Sequence, residues 1–151
     1  MNTLTKHLLA TADYRFTKAI QHSDSGFALF RLSPDSHTPL EIVHHMVNLL
    51  SFAESALTET DRIQWKTESW NEGVDQFHTV LSNVSEFLDD NYVEEEMLQL
   101  MIQGPFTDLL SHIGQLAMLA RVYGKPIERE NYLRSSVPPV KAPKRAFVSS
   151  N

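Results

Sequence analysis

Much of the architecture follows from Gly104–Tyr123, GPFTDLLSHIGQLAMLARVY. Its apolar residues recur at helical spacing. The stretch predicts one long helix, opened by Gly104-Pro105 and closed by Gly124 with Pro126 just beyond. Two of its residues do not suit a plain core helix. Asp108 and His112 stand four apart, so they share a face one turn apart. Leu109, Leu116 and Leu119 are read on that same side. An ionised carboxylate among leucines is costly unless something pairs with it. A divalent metal held by Asp108, His112 and a third ligand from another helix would satisfy both groups at once.

The third ligand is sought upstream. Thr38-Pro39-Leu40-Glu41 carries a capping-box signature: Thr38 can accept from the backbone N–H of Glu41, Glu41 can reach back to Thr38, and proline suits the first helical position. A second helix therefore starts at Thr38 and runs to about Glu59. Within it stands His44-His45. Adjacent helical residues point about 100° apart, so periodicity assigns them different faces. His45 falls with Ile42, Leu49 and Phe52, and is expected to look inward. His44 falls with Glu41, Asn48 and Ser51, and is expected at a polar rim. His45 is thus the candidate third ligand.

Elsewhere the chain is read as follows. Leu4, Leu8, Leu9, Ala12, Phe16, Ala19 and Ile20 predict a first helix over about Leu4–Ile20. Residues 21–37 read as a long connection, and 61–70 as a polar one. Val74, Phe77, Val80, Leu81, Val84, Phe87 and Leu88 predict a third main helix over Asn71–Leu88, and Glu94–Gln103 a short one. Proline and little periodicity mark the end of the chain. The expected layout is a helical domain over residues 1–136 and an extended or mobile tail over 137–151. Strand alternation does not persist anywhere, so the fold class is all-α, a four-helix bundle with long connections.

Composition narrows the chemistry. The chain is 42% hydrophobic and 21% charged over 151 residues, which places it among globular domains with room for a core. A net charge of -6, with no basic cluster before the tail, argues against nucleic-acid binding by a charged surface. No apolar run reaches membrane-spanning length. The N-terminus lacks a signal-peptide pattern, so a cytoplasmic location is expected. Cysteine is absent. Any metal must be held by His, Asp, Glu or water, and any reacting sulfur must come from a cosubstrate.

Zinc, nickel and ferrous iron all accept imidazole with carboxylate. Three protein ligands leave a position open, as catalytic rather than structural sites do. An Asp-x-x-x-His spacing alone is a weak pattern. Its rival reading is an ordinary surface pair, with His45 a core histidine bonded to a carbonyl. Gly114, within the long helix, is read as a point of close approach by a neighbouring helix. The remaining histidines, His7, His22, His37 and His78, are read as surface or loop residues.

Two stretches carry a family resemblance. Thr38–Leu50, TPLEIVHHMVNLL, and Gly104–Tyr132, GPFTDLLSHIGQLAMLARVYGKPIERENY, resemble the second-helix and last-helix segments of the DinB-like metalloenzymes. The second is compared with that family's His-Gly-Gln tripeptide, where this chain reads His112-Ile113-Gly114-Gln115, and with the Gly-x-Pro that follows. The resemblance implies a four-helix bundle and metal ligands at His45, Asp108 and His112. Many family members have histidine where this chain has Asp108. It further implies a divalent ion, zinc or nickel first and iron next, and a low-molecular-weight thiol transferred to a small electrophile. Hydrolysis is the alternative reaction. A non-enzymatic dimeric bundle with a structural or vestigial site is the alternative role. The nearly all-round apolar surface of the last helix, from Phe106 and Leu110 to Met118 and Val122, makes a homodimer the expected assembly.

Overall fold

A computed structural model describes residues 2–141. Its helices are α1 (Thr3–Ile20), α2 (Ser25–Ala28), α3 (Pro39–Thr58), α4 (Trp70–Asp90), α5 (Glu95–Met101) and α6 (Thr107–Tyr123). A single 3-10 turn follows at Tyr132–Arg134. Among the described residues there is no strand. The all-α bundle expected from periodicity is the observed fold. None of the helices is long and apolar enough to cross a membrane. Residues 142–151, most of the expected tail, lie outside the described residues.

The four long helices form a ring in which α3 packs on α4, α4 on α1, α1 on α6 and α6 on α3. Contacts fix their directions. Asn2 Nδ2 donates to the carbonyls of Leu88 and Asn91, each at 2.9 Å, and Phe16 stacks on Phe77 with ring centroids 3.9 Å apart. The start of α1 thus meets the end of α4, so the two are antiparallel. In contrast, the start of α4 meets the start of α3: a Cβ on Gly73 would lie 3.2 Å from Val43. Further along, Asn83 Nδ2 donates to Glu54 at 2.9 Å. Helices α3 and α4 are therefore parallel.

A parallel pair needs a return connection as long as the helix. Helix α3 has 20 residues, or about 30 Å at ~1.5 Å per residue. The stretch 60–69 must span that length, which an extended chain of this size can do at ~3.3–3.6 Å per residue. It runs back along α3, held by Ser51 Oγ to the Ile63 carbonyl (2.9 Å), Arg62 to the Asn48 carbonyl (3.0 Å), and His44 Nδ1 to Thr67 Oγ1 (2.9 Å).

Local signals explain the helix ends. At Thr38 both capping-box bonds form: Glu41 N–H to Thr38 Oγ1 at 3.2 Å, and Thr38 N–H to Glu41 Oε2 at 2.7 Å. Gly124 closes α6 in the left-handed conformation, φ 92°, where glycine has no Cβ penalty. The start of α6 differs from expectation. Gly104-Pro105 does not open it. The backbone continues from α5 through a wide π turn at Ile102–Phe106, kinked at Gly104 (φ −99°, ψ −105°), and regular α-helix resumes at Thr107. Pro105 has no N–H for the ladder, which is the physical reason for the kink.

The core joins all four long helices. Leu9, Phe16, Val43, Met46, Val47, Leu50, Phe77, Leu81, Leu109 and Leu116 are fully buried. Truncating one of the core phenylalanines to alanine would cost about 3–5 kcal/mol.

Candidate metal centre

Helix α3 buries Ile42, Val43, Met46, Val47 and Leu50. His44 and His45 flank that stripe on opposite sides. His44 turns toward the 60–69 connection, where both ring nitrogens are engaged. Asn48 Nδ2 approaches Nε2 at 3.0 Å and so must donate to it. That leaves Nδ1 to donate to Thr67 Oγ1, and Thr67 in turn donates to Gln76 at 2.7 Å. His44 is thereby committed to pinning the return connection. His45 turns toward α6.

There it meets the predicted pair. His45 Nε2 lies 3.3 Å from Asp108 Oδ2, and His112 Nδ1 lies 3.2 Å from Asp108 Oδ1. The two imidazole rings stand 4.5 Å apart, centroid to centroid. One ligand atom from each of His45, Asp108 and His112 can be chosen so that all three lie within 4.8 Å of one another. Among the described residues this is the one group of three such side chains with that spacing.

The donor set fits a divalent cation. Atoms bound to zinc at about 2.0–2.1 Å with tetrahedral or octahedral angles lie roughly 2.9–3.4 Å from each other. His45 Nε2 and Asp108 Oδ2 already stand at that separation. His112 Nδ1 is 2.8 Å from the backbone carbonyl of Asp108. A carbonyl only accepts, so Nδ1 carries the proton and Nε2 keeps its lone pair. Metal-binding histidines are commonly oriented by such a second hydrogen bond.

Burial differs from the sequence expectation. His45 is exposed, with 50% of its side chain open, and does not look inward. Asp108 is 43% open, while His112, at 18%, is the most enclosed of the three. The reason is angular. Helix α6 buries Leu109, Ile113, Leu116 and Ala120. Asp108 and His112 each sit one residue before a core position, at the margin of the stripe. Asp108 is therefore not a carboxylate stranded among leucines. Both imidazoles stand within 3.3 Å of its carboxylate, and the case for a cation rests on convergence instead of on a desolvation penalty.

The three residues lie along the seam between α3 and α6, with a hollow on either side. One hollow, of about 520 Å³, includes Leu49, Phe52, Gly104, Asp108 and Ser111. The other, of about 420 Å³, includes Ile42, Ser111, Gly114, Gln115 and Met118. Ser111 borders both. The first pairs the later half of α3 with the start of α6, and the second pairs the start of α3 with the later half of α6. The two helices are thus antiparallel, which gives the bundle an up-down-down-up order.

Other polar clusters were missed in the sequence. Asp13 and His78 pair across α1 and α4 at 3.1 Å. Neither spacing nor neighbourhood in the sequence links them, because they are brought together only by the antiparallel register. The Glu130 carboxylate accepts from Tyr14 (2.6 Å) and Ser135 (2.5 Å) and pairs with Lys18. Lys18, then Ser135 and Tyr14, hold its carboxyl down to about 2. Arg15 stacks over Tyr132, 3.8 Å from the ring centroid. These contacts fasten the segment after α6 to α1.

No family model, curated protein or solved structure matches this chain.

Proposed function

We propose that the chain is a DinB-like metal-dependent enzyme in which His45, Asp108 and His112 hold one divalent ion, zinc or nickel ahead of iron. The observation that carries this is the meeting of two imidazoles and a carboxylate from two non-consecutive helices, with ligand atoms within 4.8 Å of one another, beside open hollows. When bound, such an ion acts as a Lewis acid that acidifies a thiol or water at its open position. His45 would bind through Nε2 and Asp108 through Oδ2, which already stand 3.3 Å apart. The Asp108 carbonyl fixes the His112 ring. Exposure of His45 and Asp108 leaves the centre accessible to a small molecule. The chain has no cysteine, so the reacting sulfur of a thiol transfer comes from a cosubstrate. Transfer of a low-molecular-weight thiol to a small electrophile is the preferred reaction, and hydrolysis its alternative.

The test is turnover with and without metal. Metal-loaded protein is expected to conjugate small thiols to a haloaromatic electrophile, and to lose that activity with chelator or in His112→Ala. Chelator-sensitive cleavage of nitrophenyl esters without thiol conjugation would move the assignment to hydrolysis. Metal-independent rates in both assays would contradict an enzyme at this centre.

A second reading, a non-enzymatic dimeric bundle, is favoured by one feature. Met118 and Val122 on α6 are 61% and 49% exposed, a face that a second copy would cover. Sedimentation of the protein separates the readings when combined with the turnover assay.

A further inference from the structure

Gly114 lies in the interior of α6, where glycine is among the poorest helix formers. Its expected use, close approach of a neighbouring helix, is not observed. A Cβ built on Gly114 meets nothing within 4 Å. Its φ is not positive. Neither packing nor backbone geometry within the chain therefore calls for glycine. Gly114 borders the 420 Å³ hollow and, toward α1, a smaller one of about 280 Å³.

The larger hollow begins one turn from the candidate metal centre on both helices. Ile42 is three residues before His45 on α3, and Gln115 is three residues after His112 on α6, which puts each on the same side as its histidine. Its walls are chiefly Leu32, Ile42, Met118 and Leu119, with the floor open at Gly114. No Asp, Glu, Lys or Arg is among the described residues that line it. Leu32 and Met118 are 55% and 61% exposed. A chiefly apolar groove, with Ser36, His37, Ser111 and Gln115 as its polar residues, thus lies one turn from a polar centre.

We infer that this groove is the specificity pocket of the proposed enzyme, receiving an uncharged alkyl or aryl tail of a substrate whose polar reacting end lies at His45, Asp108 and His112. Gly114 keeps the groove open, and Met118 and Leu32 form its rim. The inference rests on the proposed metal centre, because that centre fixes which end of the substrate reacts. A side chain in place of Gly114 would enter the space the tail needs.

The probes are acetohydroxamate and octanohydroxamate, which share a metal-binding head and differ in tail, titrated calorimetrically into zinc-loaded full-length protein. Octanohydroxamate is expected to bind at least tenfold more tightly. Gly114→Phe is expected to cut that ratio below twofold. Met118→Gln, which adds polarity at the rim without changing α6, is expected to lower it several-fold and decides the matter if Gly114→Phe does not fold. A ratio near one in the unmodified protein, or one that neither variant moves, would overturn the groove assignment and leave the metal centre standing. Failure of both probes to bind zinc-loaded protein would overturn the groove assignment, and failure of the protein to load zinc at all would remove the metal centre and the groove together. A dimer that Gly114→Phe or Met118→Gln converts to monomer would show that a second copy occupies this face, and would also overturn the inference.

Discussion

At the scale of single residues, the separation of His44 from His45 carries most of the account. Both were legible as histidines of one helix, and the choice of His45 came from the face it shares with Ile42 and Leu49. The chosen residue does meet Asp108, yet it is exposed, because the helix buries a stripe between the two histidines instead of under one of them. Periodicity locates a stripe, and its margins are where neighbouring residues are hardest to rank. Spacing grouped His44 with Asn48, which does bond it, but not with its other partner Thr67, which belongs to a connection without periodicity. The contrast predicts different variants. Asp108→Ala is expected to change the stability of metal-free protein by no more than about 1 kcal/mol, as for other exposed ion pairs. It should, however, abolish the rise in melting temperature on adding zinc. A ligand at a thousandfold excess over its Kd stabilises by ~4.1 kcal/mol, so thermal melts with and without zinc read the difference directly.

At the scale of helices, the start of α3 was the clearest signal and the start of α6 the least clear. Thr38 and Glu41 satisfy each other's backbone groups within four residues, and such a local device is visible in sequence. The π turn before α6 is anchored in the core at both ends, by Met101 of α5 and by its own Phe106, which no four-residue window shows. Thr38→Ala is expected to lower stability by about 1 kcal/mol in urea unfolding, the usual cost of a lost N-cap. In the opposite direction, Gly114→Ala is expected to raise it by about 1 kcal/mol. The Cβ has free space, and alanine is the better helix former by that amount. Destabilisation by Gly114→Ala would show that the position is packed in solution.

At the scale of the whole molecule, the parallel placement of α3 and α4 was not legible, because helix count and loop length alone allow several connectivities. The return connection and the segment after α6 reveal the order through polar contacts made far apart in sequence. Glu130 is the firmest of these. Its carboxyl is held down to about 2, against an ordinary value of 4.5, chiefly by Lys18 and also by Ser135 and Tyr14. A depressed carboxyl contributes stability that is complete above about 4.5 and is lost as pH falls toward about 2. Urea midpoints measured between pH 5 and pH 3 should therefore fall more steeply for the unmodified protein than for Glu130→Gln. Equal slopes would contradict the latch. The proposed function, by contrast, depends on three side chains acting together, and its most direct test is equilibrium dialysis of metal-stripped protein against zinc and nickel. The unmodified protein and His44→Ala are predicted to take up one ion per chain, and His45→Ala to lose that binding at least tenfold. Absence of stoichiometric binding, or equal losses in His44→Ala and His45→Ala, would contradict a metal centre at His45, Asp108 and His112.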